Sequence, residues 1–300
     1  MNKISFDKKV AIVTGAGAGI GRSYALELAK RGAAVVVNDL GGSRDGRGEG
    51  HEAADKVVAE ITAAGGKAVA SYDSVTTMEG GAAIIETALT HFESLDILIN
   101  NAGILRDQSF HKMSEEQWDT VINVHLKGAF CVTQPAVRAM KENGYGRILF
   151  TVSNAGLYGS FGQANYSAAK MGIIGLMNAL KLEVKKFGIK VNAISPTAHS
   201  RMTEDIMPYQ ITSKMAADLN APMALYLCSD ANRYTGLTVT TGAGWFGQSA
   251  VISGHGLALG QDVSVEDVRD NINAILSLED GAPHTDGLSF LLHEIGPALE

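Results

Sequence analysis

The chain has 300 residues, 46% hydrophobic and 19% charged, which is enough apolar material for a sizeable core and excludes a disordered chain. Its 25 basic and 32 acidic residues leave a net charge of −7 with no basic run, which argues against a nucleic-acid partner. The run Val10 to Val13 is too short for a signal peptide, and Tyr234 to Gln261, although uncharged, is too rich in Gly, Ser and Thr to span a membrane.

Taken in order, Val10 to Val13 reads as a strand and Arg22 to Arg31 as a helix. Ala34 to Val37 is a second strand, ending at Asn38-Asp39. The glycine-rich, charged segment Gly41 to Gly50 reads as a long loop before a helix from His51 to Ala64. Ala68 to Ser71, Ile97 to Ile99 and Arg147 to Val152 give the third to fifth strands. Long helices are predicted over Glu115 to Lys141 and Tyr166 to Phe187, and Val191 to Ile194 and Thr238 to Thr241 are the last two strands. Strands without polar alternation are buried on both faces, and strands alternating with helices imply a parallel sheet covered on both sides. The predicted fold is therefore α/β: a Rossmann-type doubly wound parallel sheet, with residues 1–242 as one domain and 243–300 as a C-terminal extension packed on it.

The two cysteines, Cys131 and Cys228, each lie in an apolar stretch and read as buried reduced thiols. That points to a reducing compartment. The last residues, Pro-Ala-Leu-Glu, are not a Ser-Lys-Leu peroxisomal address, so a cytoplasmic location is expected.

Thr14-Gly-Ala-Gly-Ala-Gly-Ile-Gly21 stands where the first strand hands over to the first helix. Such a turn needs Gly15, Gly19 and Gly21 for positive φ and for close approach of backbone to a pyrophosphate. The helix N-terminus beside Ile20 then offers free N–H groups to the phosphates. A second glycine pattern, Gly242, Gly244 and Gly247, has no helix pattern after it and reads as accidental. Asp39 closes the second strand, where a carboxylate accepts hydrogen bonds from a ribose 2′-hydroxyl and repels a 2′-phosphate. This favours NAD over NADP. A turn cap is the structural alternative for Asp39, and Arg22 and Arg44 are possible counterweights that would accept a 2′-phosphate.

Tyr166 and Lys170 stand four apart on one helix face, with Ser153 upstream at the end of a predicted strand. A free phenol, with a pKa of about 10, is a poor base at neutral pH. A neighbouring ammonium and a positive nicotinamide are expected to lower that value, while Ser153 holds a substrate oxygen. No histidine, carboxylate or cysteine cluster has metal-ligand spacing, so no catalytic metal is expected.

The glycine turn, Asn100-Asn-Ala-Gly103, Ser153 and Tyr166-x-x-x-Lys170 recur in this order in the short-chain dehydrogenase/reductase family, which the chain resembles over roughly Lys8 to Gly242. Asn38 to Gly42, Tyr72 to Val75, Phe161 to Lys170 and Ser200 to Thr203 look like the (3R)-hydroxyacyl-CoA dehydrogenase branch of peroxisomal multifunctional enzymes. The resemblance implies Ser153, Tyr166 and Lys170 as catalytic residues, Asp73 and Ser74 flanking the adenine, and Asn101 and Pro196 lining the cofactor cleft. It implies NAD-dependent exchange between a secondary alcohol and a ketone, first a (3R)-3-hydroxyacyl-CoA. A hydroxysteroid of 17-beta type or a 3-oxoacyl carrier-protein substrate stays open, as does a non-catalytic NAD-sensing protein. The resemblance further implies a homodimer or homotetramer built on the two long helices. Pro196 to Asn220 reads as a lid, with Met202, Met207 and Met215 against the substrate and Arg106 and Arg201 toward the CoA end. The chain departs from the family at His125, where most members have an asparagine that helps hold a proton-relay water; a lone histidine on a helix is more often structural, and a part for His125 in that relay stays open.

Overall fold

The computed structural model describes residues 3–198 and 214–296. The expectations for Arg201, Met202, Met207 and most of the lid lie outside the described residues.

The sheet has eight strands: β1 (Val10–Thr14), β2 (Ala34–Asn38), β3 (Lys67–Ser71), β4 (Ile97–Asn100), β5 (Gly146–Thr151), β6 (Ile189–Thr197), β7 (Thr238–Gly242) and β8 (Trp245–Ser249). Their order is β3-β2-β1-β4-β5-β6-β7-β8, and the pairs from β3 to β7 are parallel. Alternate residues of each strand enter two different cores. Ala11, Val13, Val35, Val37, Ile97 and Ile99 pack on one face, and Val10, Ile12, Val36 and Leu98 on the other. Each fully buried Val, Ile or Leu contributes roughly 1.5–3 kcal/mol, so the sheet is held from both sides.

The first face is covered by α1 (Gly19–Lys30), α2 (Glu52–Ala63) and α8 (Ala221–Cys228). The second is covered by α3 (Met78–Phe92), α5 (Gly128–Asn143) and α7 (Ala164–Val184). Two of these helices, α3 and α8, are additions to the sequence reading, and α6 (Asn154–Tyr158) is a third. The long helix expected over Glu115 to Lys141 is in fact α4 (Glu115–Ile122), a π turn at Asn123–Lys127, and α5. A capping box of Ser114 and Gln117 starts α4. Gly242 and Gly244 belong to a tight turn into β8, where Ala243 and Gly244 both have positive φ.

The chain forms two compact units, Met1–Gln248 and Ser249–Glu300. The first extends past Gly242 because β8 continues the sheet. Within the second, none of the described residues is buried. It consists of short helices (Val265–Asp270, Ile272–Ile275, Gly287–Phe290), a bridge between Ser253 and Ala282, and Glu294 held by His255 at 3.3 Å and His284 at 3.2 Å. No helix among the described residues is long and apolar enough to cross a membrane.

Candidate active site

After β1 the chain moves outward to β2 and β3, then returns to β4 and continues the other way. Strand order reverses between β1 and β4, and a parallel sheet opens a crevice at the carboxyl ends of its strands at such a point. A cavity of about 690 Å³ lies there, and every residue nominated above for cofactor binding or catalysis borders it.

The glycine turn forms its floor. Gly15 (φ +63°) and Gly19 (φ +54°) adopt the left-handed backbone that favours glycine. A Cβ on Gly15 would stand 2.7 Å from the Cα of Ala102, and one on Gly21 would stand 2.3 Å from the Gly15 carbonyl oxygen. Asn101 locks this approach, its Nδ2 donating to the carbonyls of Thr14 and Gly15, each at 3.1 Å. The result is a close-packed, glycine-lined turn bordering the cavity at the start of α1, which fits a dinucleotide pyrophosphate.

At the end of β2 the Asp39 carboxylate accepts from Gly17 N–H at one oxygen and from Gly41 N–H at the other, both at 2.8 Å. The capping role and the cavity-facing role therefore coincide in this side chain. Arg22 pairs with Glu60 across α1 and α2, whereas Arg44 borders the cavity. Asp73 accepts from the Ser71 hydroxyl at 3.1 Å and gives its carbonyl to Asn38, and Ser74 bonds the Thr76 hydroxyl at 2.9 Å. Both border the cavity, as does Pro196, which pairs with Thr241 near the end of β6.

The segment Gly41 to Gly50, legible in sequence only as a loop, is a strap across this cavity. Gly50 N–H bonds the Leu40 carbonyl at 2.9 Å and closes its base. Its tip is stapled to the chain after β4: Leu105 N–H donates to the Arg44 carbonyl at 3.0 Å, and Arg106 Nε donates to the Asp45 carbonyl at 2.9 Å. Arg106 also pairs with Glu116 at 2.7 Å. Its guanidinium thus bonds the strap and α4.

Ser153 caps α6, its hydroxyl accepting from Ala155 N–H at 3.1 Å, and it hydrogen-bonds Tyr166. Lys170 is buried and donates from Nζ to the Thr151 carbonyl at 2.6 Å, lying 5.5 Å from the Tyr166 ring centre. Burial pushes the Tyr166 phenol up to about 12; the Ser153 bond opposes this and the Asp107 carboxylate adds to it. Burial also pushes Lys170 down to about 7. The expected lowering of the phenol is therefore absent from the chain's own groups, because both are taken out of water together and the lysine gives up much of its charge. Gln163, bonded to Asp107 at 2.8 Å, also borders the cavity; the sequence placed it in the Phe161 to Lys170 motif without giving it a role.

Among known proteins, the family model for short chain dehydrogenase matches residues 9–209. The chain belongs to that family, oxidoreductases acting on CH–OH groups with a nicotinamide cofactor. It is 51% identical over 276 residues to peroxisomal multifunctional enzyme A of Dictyostelium discoideum, covering 92% of this chain and 62% of that protein. It matches the structure of full-length peroxisomal multifunctional enzyme type 2 from Drosophila melanogaster with a TM-score of 0.83 and 39% identity, over 99% of this chain and 50% of the other. The chain thus spans about half to three-fifths of the length of these relatives. A more distant likeness, TM-score 0.72 and 28% identity over 80% of this chain and 95% of the other, is to 7α-hydroxysteroid dehydrogenase complexed with NADH and 7-oxo glycochenodeoxycholic acid.

Proposed function

We propose that the chain is an NAD-dependent dehydrogenase interconverting (3R)-3-hydroxyacyl-CoA and 3-oxoacyl-CoA. The observation that carries this reading is the convergence of Ser153, Tyr166 and Lys170 on the cavity whose floor is the glycine cradle and whose far wall carries Asp39.

Gly15, Gly19, Ile20 and Gly21 would hold the pyrophosphate, Asp39 a ribose 2′-hydroxyl, and Asp73 and Ser74 the adenine edge, with Asn101 and Pro196 toward the nicotinamide end. The bound nicotinamide supplies the hydride acceptor and, when oxidised, a positive charge. Ser153 donates to or accepts from the substrate oxygen and fixes its direction. Tyr166 exchanges the proton of that oxygen, and Lys170, fixed to Thr151, holds a positive charge near the phenol when protonated. The anionic Asp39 favours NAD by accepting from a hydroxyl and repelling a phosphate.

The acyl-CoA substrate rests on likeness to the multifunctional enzymes, and the hydroxysteroid reading on the more distant bile-acid enzyme. The two separate in one screen. Activity with NAD⁺ and NADP⁺ is measured on 3-hydroxyacyl-CoAs of both hands, free 3-hydroxy acids and hydroxysteroids. The (3R)-acyl-CoA with NAD⁺ is expected to give the highest kcat/KM; equal or better efficiency with an unesterified steroid overturns the acyl-CoA assignment.

Half-exposed Trp118, Phe130, Met171 and Leu182 on α4, α5 and α7 favour a homodimer or homotetramer joined through these helices. A monomeric mass at micromolar concentration would contradict it. The buried free thiols suit a reducing compartment, cytoplasmic as read from the sequence or peroxisomal as in the named relatives, and cell fractionation decides between them.

A further inference from the structure

The last pairing of β5 with β6 is Thr151 with Ile194, followed by one bond from Val152 N–H to the Ile194 carbonyl at 2.8 Å. Beyond it the two chains part. β6 runs on through Ser195, Pro196 and Thr197 with β7 as its paired neighbour, while the other chain turns at Ser153 into α6. Ser153 and Pro196, two residues that border the cavity, thus stand on separate branches of a fork.

The Asn154 side chain bridges that fork. Its Oδ1 accepts from the Ser195 hydroxyl at 2.9 Å, and its Nδ2 donates to the Thr197 hydroxyl at 3.5 Å. The bond to Ser195 is the stronger of the two, because it is shorter and because Ser195 is fully buried, with no water to take the place of a lost partner. Asn154 itself borders the cavity next to Ser153. What it fastens has little rigidity of its own. Helix α6 has five residues, against the roughly 12–15 that an isolated helix needs. It leans on α7 through Gly156, where a Cβ would stand 2.8 Å from Lys170 Cβ. The Ser153 hydroxyl accepts from Ala155 N–H at 3.1 Å, and the Ser153 carbonyl accepts from Gly156 and Leu157 N–H at 2.9 and 3.2 Å. Ser153 therefore moves with α6, and Asn154 ties α6 to β6.

We propose that Asn154 is a positioning residue of the reaction: by tying the first turn of α6 to β6 on both sides of Pro196, it sets where the Ser153 hydroxyl stands in the cavity. The side chain takes over where the backbone ladder between β5 and β6 stops, and it holds the group that directs the substrate oxygen against the strand that carries Pro196. A small misplacement of such a group costs rate far more than it costs binding. No bond to Asn154 forms or breaks during turnover; it acts through Ser153. This rests on the roles of Ser153 and Tyr166 given above.

Asn154→Ala, Ser195→Ala and the double variant are compared with the parent. In the cofactor-free chain, amide hydrogen exchange at Ala155, Gly156 and Leu157 should quicken at least about tenfold in Asn154→Ala, while the amides of β5 stay within about threefold. Turnover is measured on the alcohol preferred in the screen above, with competent sites counted by NADH fluorescence titration. In Asn154→Ala, kcat per competent site is expected to fall at least about tenfold, with KM and NADH affinity within about threefold. A merely structural loss would lower the number of competent sites and leave kcat per site unchanged. Ser195→Ala should lower kcat per site at least about threefold, and the double variant should lose no more than Asn154→Ala alone, since both cut one connection. Faster exchange with unchanged kcat per site, lower kcat without faster exchange, or additive losses in the double variant overturns the proposal. If Asn154→Ala does not melt cooperatively, Ser195→Ala, which removes a single buried oxygen, decides by the same two readings. Tyr166→Phe is assayed alongside: should it stay active, the underlying reading of the site has failed, and the exchange measurement still decides whether Asn154 holds α6.

Discussion

Lys170 donates from Nζ to the Thr151 carbonyl at 2.6 Å, which fixes a buried ammonium at the last residue of β5. Burial lowers this lysine from 10.5 to about 7. Between those values the unfolded chain binds a proton that the folded one does not. Lys170 therefore adds stability as pH rises through that window and withdraws it as pH falls toward 7. At about 1.4 kcal/mol per pH unit, raising pH from 7 to 9 contributes roughly 2–3 kcal/mol. Lys170→Met lacks this term. The Tm of the parent minus that of the variant should be larger at pH 9 than at pH 7, and a constant difference would show that the lysine is not desolvated in solution.

Tyr166→Phe should abolish turnover while leaving the cofactor site intact. The change removes one oxygen, keeps the ring against His125, and deletes the group proposed to exchange the substrate proton. Loss of kcat by about a thousandfold or more, with NADH fluorescence unchanged, is the expected outcome. A variant that keeps most of its kcat would remove Tyr166 from the mechanism.

Asp39 holds the turn through Gly17 and Gly41 and is proposed to select the cofactor, and its substitution should test both. Asp39→Ala orphans the N–H groups of Gly17 and Gly41, so the glycine turn and the strap each lose an anchor. NAD affinity should fall, and the preference in kcat/KM for NAD over NADP should shrink at least about tenfold as the like charge is removed. The Tm is expected to drop as well. Unchanged selectivity would mean that the carboxylate serves the turn alone and that discrimination lies elsewhere.

Most of the first unit was legible because its strands are uniformly apolar and its two motifs stand at strand ends. The glycine turn, Asp39, Ser153 and the Tyr166–Lys170 pair needed only local spacing. Helix α3 was missed because Gly80 and Gly81 weaken its pattern, yet they serve packing: a Cβ on Gly81 would stand 2.1 Å from the Cys131 carbonyl oxygen of α5. The strap was visible as a glycine-rich segment, but its closure depends on Arg44, Asp45, Leu105 and Arg106, some sixty residues apart in sequence. The phenol's shift was misjudged for a related reason. Charge neighbours can be read from spacing, whereas burial, the larger influence on both Tyr166 and Lys170, belongs to the folded whole.

Gly103 should tolerate no side chain while His125 is present. Its backbone is not in the left-handed region, so the obstacle is the imidazole 2.3 Å from a Cβ. Gly103→Ala is expected to destabilise by about 1–3 kcal/mol through overpacking and to lower kcat by displacing the ring from Tyr166. Replacing His125 by Ala makes room, so the penalty of Gly103→Ala should be smaller in that background. Additive losses in a double-mutant cycle would show that the two residues do not meet.

The strap gives a prediction about cofactor release. Arg106 is its side-chain staple, through Asp45, and is itself steadied by Glu116. Arg106→Ala leaves the backbone bond from Leu105 to Arg44 but removes the guanidinium that spans strap and α4. A covering segment with fewer fastenings opens more often, and opening limits exit of whatever it covers. NADH dissociation, followed by stopped-flow fluorescence on displacement with excess NAD⁺, should therefore quicken by about threefold or more. The rise in KM should be the same for a 3-hydroxyacyl-CoA and for the matching free hydroxy acid if the arginine acts only through the strap. If instead the dissociation rate is unchanged and KM rises for the CoA ester alone, Arg106 leaves Asp45 and Glu116 during turnover and meets the CoA phosphates.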